Sequence, residues 1–170
     1  MASKDTHYKV YLAAYKGDCH GYGRMQGPDG GAREADPEHH AIYVETVPGG
    51  DEDPNNRGSG CLFHSVGGTI WGMDFERKDT IDPRLTSRGK RMTPMGWVSH
   101  GKFRDEFEAV CRRVPLPHSQ RTLANRKIYP NIPLRHCQHW ALDAIHALCV
   151  AEVLEPLTPS DSRAPLNRVN

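Results

Sequence analysis

Short β-prone runs broken by dense turn punctuation, followed late in the chain by one long helical stripe, constrain the fold more than any other feature. That order describes an α+β domain. Tyr8–Tyr15 mixes aromatic and β-branched residues before Lys16-Gly17-Asp18 breaks the pattern. His39–Glu45 repeats the signal and is ended by Val47-Pro48-Gly49-Gly50. Cys61–Val66 and Thr69–Glu76, hinged at Gly67-Gly68, continue it with apolar alternation and complete a three-strand meander. The expected architecture is an antiparallel sheet packed against helices. The 16 glycines and 13 prolines supply its turns. Gly21–Gly31 reads as a surface loop, and Pro48–Gly60 (PGGDEDPNNRGSG) as a long connection between neighbouring strands.

Arg77–Lys102 is polar and turn-rich, with one further strand at Met95–Val98. Phe103, Phe107, Val110 and Cys111 share one helical face, and Pro115 and Pro117 stop that helix. After Pro133, the residues Trp140, Leu142, Ile145, Leu148, Cys149 and Val153 form an apolar stripe over about four turns. The length favours one domain, read as residues 1–155, with residues 156–170 as a flexible, proline-containing tail.

Lys+Arg and Asp+Glu number 22 and 21, so the chain lacks the basic excess of a protein that tracks phosphates, and no nucleic-acid partner is expected. No apolar run approaches the roughly 18–20 residues of a membrane span. The start MASKDTHYK lacks the apolar region of a secretory signal, which reads as a cytoplasmic protein. The five cysteines are scattered without a C-x-x-C pair, so neither a disulfide framework nor a zinc knuckle is indicated. Arg112-Arg113, Arg84 to Arg91 and Arg121 to Lys127 are local basic groups that read as solvated charges.

Chemistry concentrates in Leu134-Arg135-His136-Cys137-Gln138-His139-Trp140, where a cysteine enters the first turn of the strongest helix. A helix N-terminus carries about half a positive charge from unpaired N–H groups, which stabilises a thiolate and can receive a developing oxyanion. Cys149 belongs to the apolar stripe, and Cys61 and Cys111 read as small packing residues. Cys137 is therefore the candidate nucleophile.

Three short motifs occur in the order His39-His40-Ala41-Ile42-Tyr43-Val44, Leu62-Phe63-His64, and His136-Cys137-Gln138-His139-Trp140. Together they resemble the circularly permuted papain-like cysteine enzymes of the NlpC and lecithin:retinol acyltransferase type, most closely small fungal-type relatives whose helix start reads C-Q-x-W. The resemblance spans roughly His39 to Val150. It implies Cys137 as nucleophile, His39 as general base and His64 as the group that orients that imidazole. Gln138 stands where the family commonly has Glu, and His136 where it commonly has Asn. Adjacent strand residues face opposite sides, so one of His39 and His40 can look into the site. Matching Ala41 and Tyr43 to the pattern selects His39, with His40 as the alternate. Gln138, Tyr43, Trp71 and Trp140 are candidate substrate contacts, the rings as apolar walls.

The function so implied is hydrolysis or transfer of an acyl group, from an amide, ester or thioester, on a small-molecule or peptide-like substrate. Two other readings use the same cleft: a non-catalytic module that binds a metabolite or protein, and a biosynthetic cyclase or isomerase. The ten histidines also admit a metal site of His39, His64 and His136 or His139. No H-E-x-x-H stretch supports it, and no G-x-x-x-x-G-K-[ST] loop supports nucleotide binding, so neither metal nor cofactor is expected.

Overall fold

The computed structural model describes residues 6–16, 38–49 and 58–158. It contains six strands: β1 (His7–Tyr15), β2 (His39–Val47), β3 (Ser59–Gly68), β4 (Gly72–Ile81), β5 (Gly89–Ser99) and β6 (Glu155–Pro156). They form one antiparallel sheet in the order β4-β3-β2-β1-β5-β6. Three helices follow β5: α1 (His100–Lys102), α2 (Glu108–Arg113) and α3 (Cys137–Val150), with a π-helical stretch, Phe103–Phe107, joining the first two. The coarse α+β reading therefore holds. The expected Gly21–Gly31 loop, most of the Pro48–Gly60 connection and the tail beyond residue 158 lie outside the described residues.

Strand alternation gives the sheet two unlike faces. Val10, Ile42, Val44, Phe63 and Val98 point toward α3 and bury Trp140, Ala141, Ala144 and Leu148 against them. Tyr11, Ala13, Ala41, Tyr43 and Leu62 gather on the other face. Strands β2 and β3 approach closely. A Cβ on Gly60 would stand 1.9 Å from the Val44 carbonyl oxygen, so glycine is what lets these backbones meet.

Several boundaries differ from the sequence reading, each for a physical reason. The turn after β3 lies at Thr69–Trp71, between Gly67 and Gly72 with φ of +121° and +88°, and not at Gly67-Gly68. Strand β4 then runs on to Ile81, because as an edge strand it can carry the charges of Glu76, Arg77, Lys78 and Asp79. Strand β5 is far longer than Met95–Val98. Its Pro94 sits at a bulge, where the partners of Val10 and Tyr11 jump from Gly96 to Pro94, and this hides the strand pattern. Pro156, the first residue of the expected tail, pairs with Gly96 in the sheet. On α3 the buried face is Cys137, Trp140, Ala141, Ala144, Ile145 and Leu148, whereas Leu142 is exposed.

Candidate active site

Closing the β3–β4 hairpin at Gly68 and Gly72 puts His64 opposite Glu76. Their side chains meet, with His64 Nε2 2.5 Å from Glu76 Oε2. On its other nitrogen, His64 Nδ1 lies 2.7 Å from His39 Nε2. The β2–β3 ladder runs from Ile42↔Phe63 to Val47↔Ser59, so the strands part at the His39 end and imidazoles bridge the opening. Tyr15 flanks this pair, its ring centroid 6.2 Å from that of His39.

The hydrogen-bond directions follow from the acceptor at the end of the chain. An ionised Glu76 only accepts, so His64 Nε2–H donates to it. Neutral His64 then has a lone pair on Nδ1, which accepts from His39 Nε2–H. With Nε2–H so engaged, the remaining ring nitrogen of His39 is Nδ1. That atom is buried and has no hydrogen-bond partner among the described residues. Neutrality of His64 is reinforced by burial, which is the main cause pushing its pKa down to about 4, with His39 and Lys78 acting in the same direction and Glu76 opposing them.

Cys137 is the first helical residue of α3 and fully buried, packed on Met73, whose Sδ in turn lies 3.6 Å from Ser65 Oγ. The helix entrance is built from side chains. His139 Nδ1 accepts from the His136 backbone N–H at 3.0 Å, as the third-position glutamate of a capping box would. Gln120 clamps the preceding residue twice: its Nε2 donates to the Arg135 carbonyl at 2.8 Å, and its Oε1 accepts from the Arg135 N–H at 2.7 Å. Gln138 Nε2 donates to the Glu38 carbonyl at 2.8 Å, tying the residue after Cys137 to the residue before His39.

The structure thus joins His39 to His64, and fixes the start of the Cys137 helix to the start of β2. It separates His40 from that pair: His40 lies on the alternate side of β2, with Nε2 3.5 Å from Glu38 Oε2. The expected apolar walls are elsewhere. Trp140 is wholly enclosed in the core, its ring centroid 5.9 Å from that of Phe75, because the α3 stripe is what holds the helix to the sheet. Tyr43 is equally buried, beside Tyr11. Trp71 stands at the hairpin tip, 73% exposed. Gln138 acts as a tether between backbones.

Glu76 escaped the sequence reading because the turn was placed two residues early. With the hairpin centred on Ile70, the antiparallel register would have put it opposite His64. Arg84 also departs from its solvated reading. Its guanidinium donates to both carboxylate oxygens of Asp82 and, at 2.8 Å, to Glu45 Oε1. Burial pushes the Glu45 carboxyl up, while Arg84 draws it back down. Among the described residues no three His, Cys, Asp or Glu side chains are grouped as a metal site would require, and no helix is long and apolar enough to cross a membrane.

A family model described as Family of unknown function (DUF6540) matches residues 30–155. No curated protein and no solved structure matches the chain.

Proposed function

We propose, for a chain that belongs to the DUF6540 family of unknown function, a thiol-dependent acyl hydrolase or acyltransferase on a permuted papain-like scaffold, working on a small-molecule or peptide-like substrate. The observation that carries this reading is the buried Nδ1 of His39, without a hydrogen bond among the described residues, on a ring oriented by the chain of bonds from Glu76 through His64. Burying a ring nitrogen without a partner costs free energy, and a proton-accepting role accounts for it. Alternation alone would turn His39 away from α3. The register carries that alternation through Tyr15↔His39, so the reading requires the sulfur of Cys137 to reach that nitrogen around the end of β2, where the Gln138–Glu38 hydrogen bond ties the two segments together.

In this mechanism His39 Nδ1 takes the thiol proton and the Cys137 thiolate attacks the acyl carbon. The positive end of the α3 dipole receives the oxyanion. As the C–N or C–O bond breaks, the imidazolium returns its proton to the leaving group, and a thioester remains on Cys137. Water, or an acceptor hydroxyl or amine, gives a proton to His39 and attacks the thioester, which regenerates the thiol. Glu76 and His64 hold the imidazole in one tautomer and one orientation.

The test is mass spectrometry of the intact protein after a limiting dose of a thiol-directed electrophile, with peptide mapping to locate the label. Labelling at Cys137 that disappears in Cys137→Ala and slows by about 100-fold or more in His39→Ala supports the assignment. Equal labelling of the parent and Cys137→Ala removes the nucleophile.

The complete burial of Cys137 favours a second reading, a binding module in which the same polar cluster recognises a ligand without turnover. A thiol that reacts only after unfolding, at a rate indifferent to His39, would establish it over catalysis.

A further inference from the structure

The segment between α2 and α3 has a surface unlike the rest of the described residues. Residues 122–133 are exposed without a break. Among them Leu123 is 77% exposed, and Ile128, Tyr129 and Ile132 are exposed as well. From Val114 to Leu142 the sequence contains four Arg or Lys residues and no Asp or Glu, although the whole chain is nearly neutral. Arg121, Arg126 and Lys127 form no ion pair among the described residues.

This segment is firmly built. A small hairpin is closed by Thr122 N–H to Arg126 O at 2.9 Å and by Ile128 N–H to Gln120 O at 2.9 Å, with Asn125 taking the left-handed turn conformation. Gln120 and Arg121 N–H groups both donate to Thr69 O, and Ser119 Oγ donates to Ile70 O at 2.5 Å. These bonds hold the segment against the β3–β4 tip, where Trp71 projects into solvent. Ordered backbone therefore presents large apolar side chains outward, which costs hydration free energy with no return inside the fold.

We infer that this surface, the 122–133 segment with Trp71, docks on an anionic lipid bilayer. Aliphatic tips and an indole enter the headgroup region while Arg126 and Lys127 meet lipid phosphates and carboxylates, the combination by which interfacial segments bind. Charge complementarity selects an anionic partner, and the exposed aliphatics Leu123, Ile128 and Ile132, which outnumber the rings Tyr129 and Trp71 and offer no stacking face, favour a lipid surface over a nucleic acid. The inference is independent of any reaction at Cys137.

The experiment is flotation of the full chain with vesicles of phosphatidylcholine alone and of phosphatidylcholine with phosphatidylserine, comparing the parent with Arg126→Glu/Lys127→Glu and with Leu123→Ser/Ile132→Ser. All four positions are exposed, and unchanged thermal unfolding would show that both variants remain folded. The expected result is recovery of the parent with the anionic vesicles only, and a loss of at least about tenfold in partitioning for each variant. Failure of the parent to float with anionic vesicles overturns the inference. So does parent-like binding by Leu123→Ser/Ile132→Ser, which would mark a purely electrostatic patch, as would tighter binding to a single-stranded RNA oligonucleotide that is insensitive to the same pair.

Discussion

His64 Nδ1 lies 2.7 Å from His39 Nε2, while the opposite nitrogen of His64 meets a Glu76 carboxylate oxygen at 2.5 Å. One ring thus sits between an acid and a second ring, and both of its nitrogens are committed. Any change at Glu76 or His64 must reach His39.

Replacing Glu76 with Gln keeps an oxygen that can accept from His64 Nε2–H but removes the charge. The expected outcome is a labelling rate at Cys137 lowered by about threefold to tenfold, whereas His64→Ala, which frees the His39 ring to change tautomer, costs about 100-fold. Pseudo-first-order alkylation kinetics with peptide mapping measure both. Equal rates in all three proteins would disconnect the carboxylate and its histidine from the thiol.

His64 also makes stability depend on pH with a defined sign. Its pKa falls from 6.5 in the unfolded chain to about 4 in the fold, mainly through burial. Between those values the unfolded chain binds a proton that the native state refuses, so native stability declines as pH drops from 6.5 to about 4 and levels off below. The slope from this one group is at most about 1.4 kcal/mol per pH unit. Urea unfolding across that range, repeated with His64→Asn, should show the slope reduced in the variant.

The helical stripe illustrates what a sequence can and cannot convey. Its period places Trp140, Ile145 and Leu148 together correctly, but Leu142 fits the same stripe and is exposed, because period alone does not say how wide a face the sheet covers. Strands β1 and β2 were legible from their β-branched and aromatic runs. Strand β5 was not, since the bulge that accommodates Pro94 breaks the alternation. His39, His64 and Cys137 could be named from motif order, while Glu76 depended on a hairpin register that shifts with each residue by which the turn is misplaced.

Two of the three tryptophans, Trp140 and Trp71, separate core from surface. Trp140→Ala should cost about 3–5 kcal/mol, as large aromatic deletions in packed cores do, while Trp71→Ala should stay within about 0.5 kcal/mol. Chemical denaturation of the two variants checks this directly. Similar costs would contradict the placement of one ring in the core and the other at the hairpin tip.

Arg84 holds together two carboxylates, Glu45 and Asp82, that are both largely buried. Arg84→Ala should destabilise the fold by about 2–4 kcal/mol at neutral pH, by leaving those charges without a partner. Because burial already raises the Glu45 pKa, protonation in the variant relieves the repulsion, so the penalty should shrink as pH is lowered toward 4. A penalty that does not change with pH would indicate lost packing of the arginine stem over Tyr11 instead.

The most direct measurement is the pH–rate profile for alkylation of Cys137, taken on the parent and on His39→Ala. Removing the imidazole should move the profile to higher pH and lower the rate at neutral pH by at least about 100-fold. Superimposable profiles would mean that the sulfur and the ring do not act together.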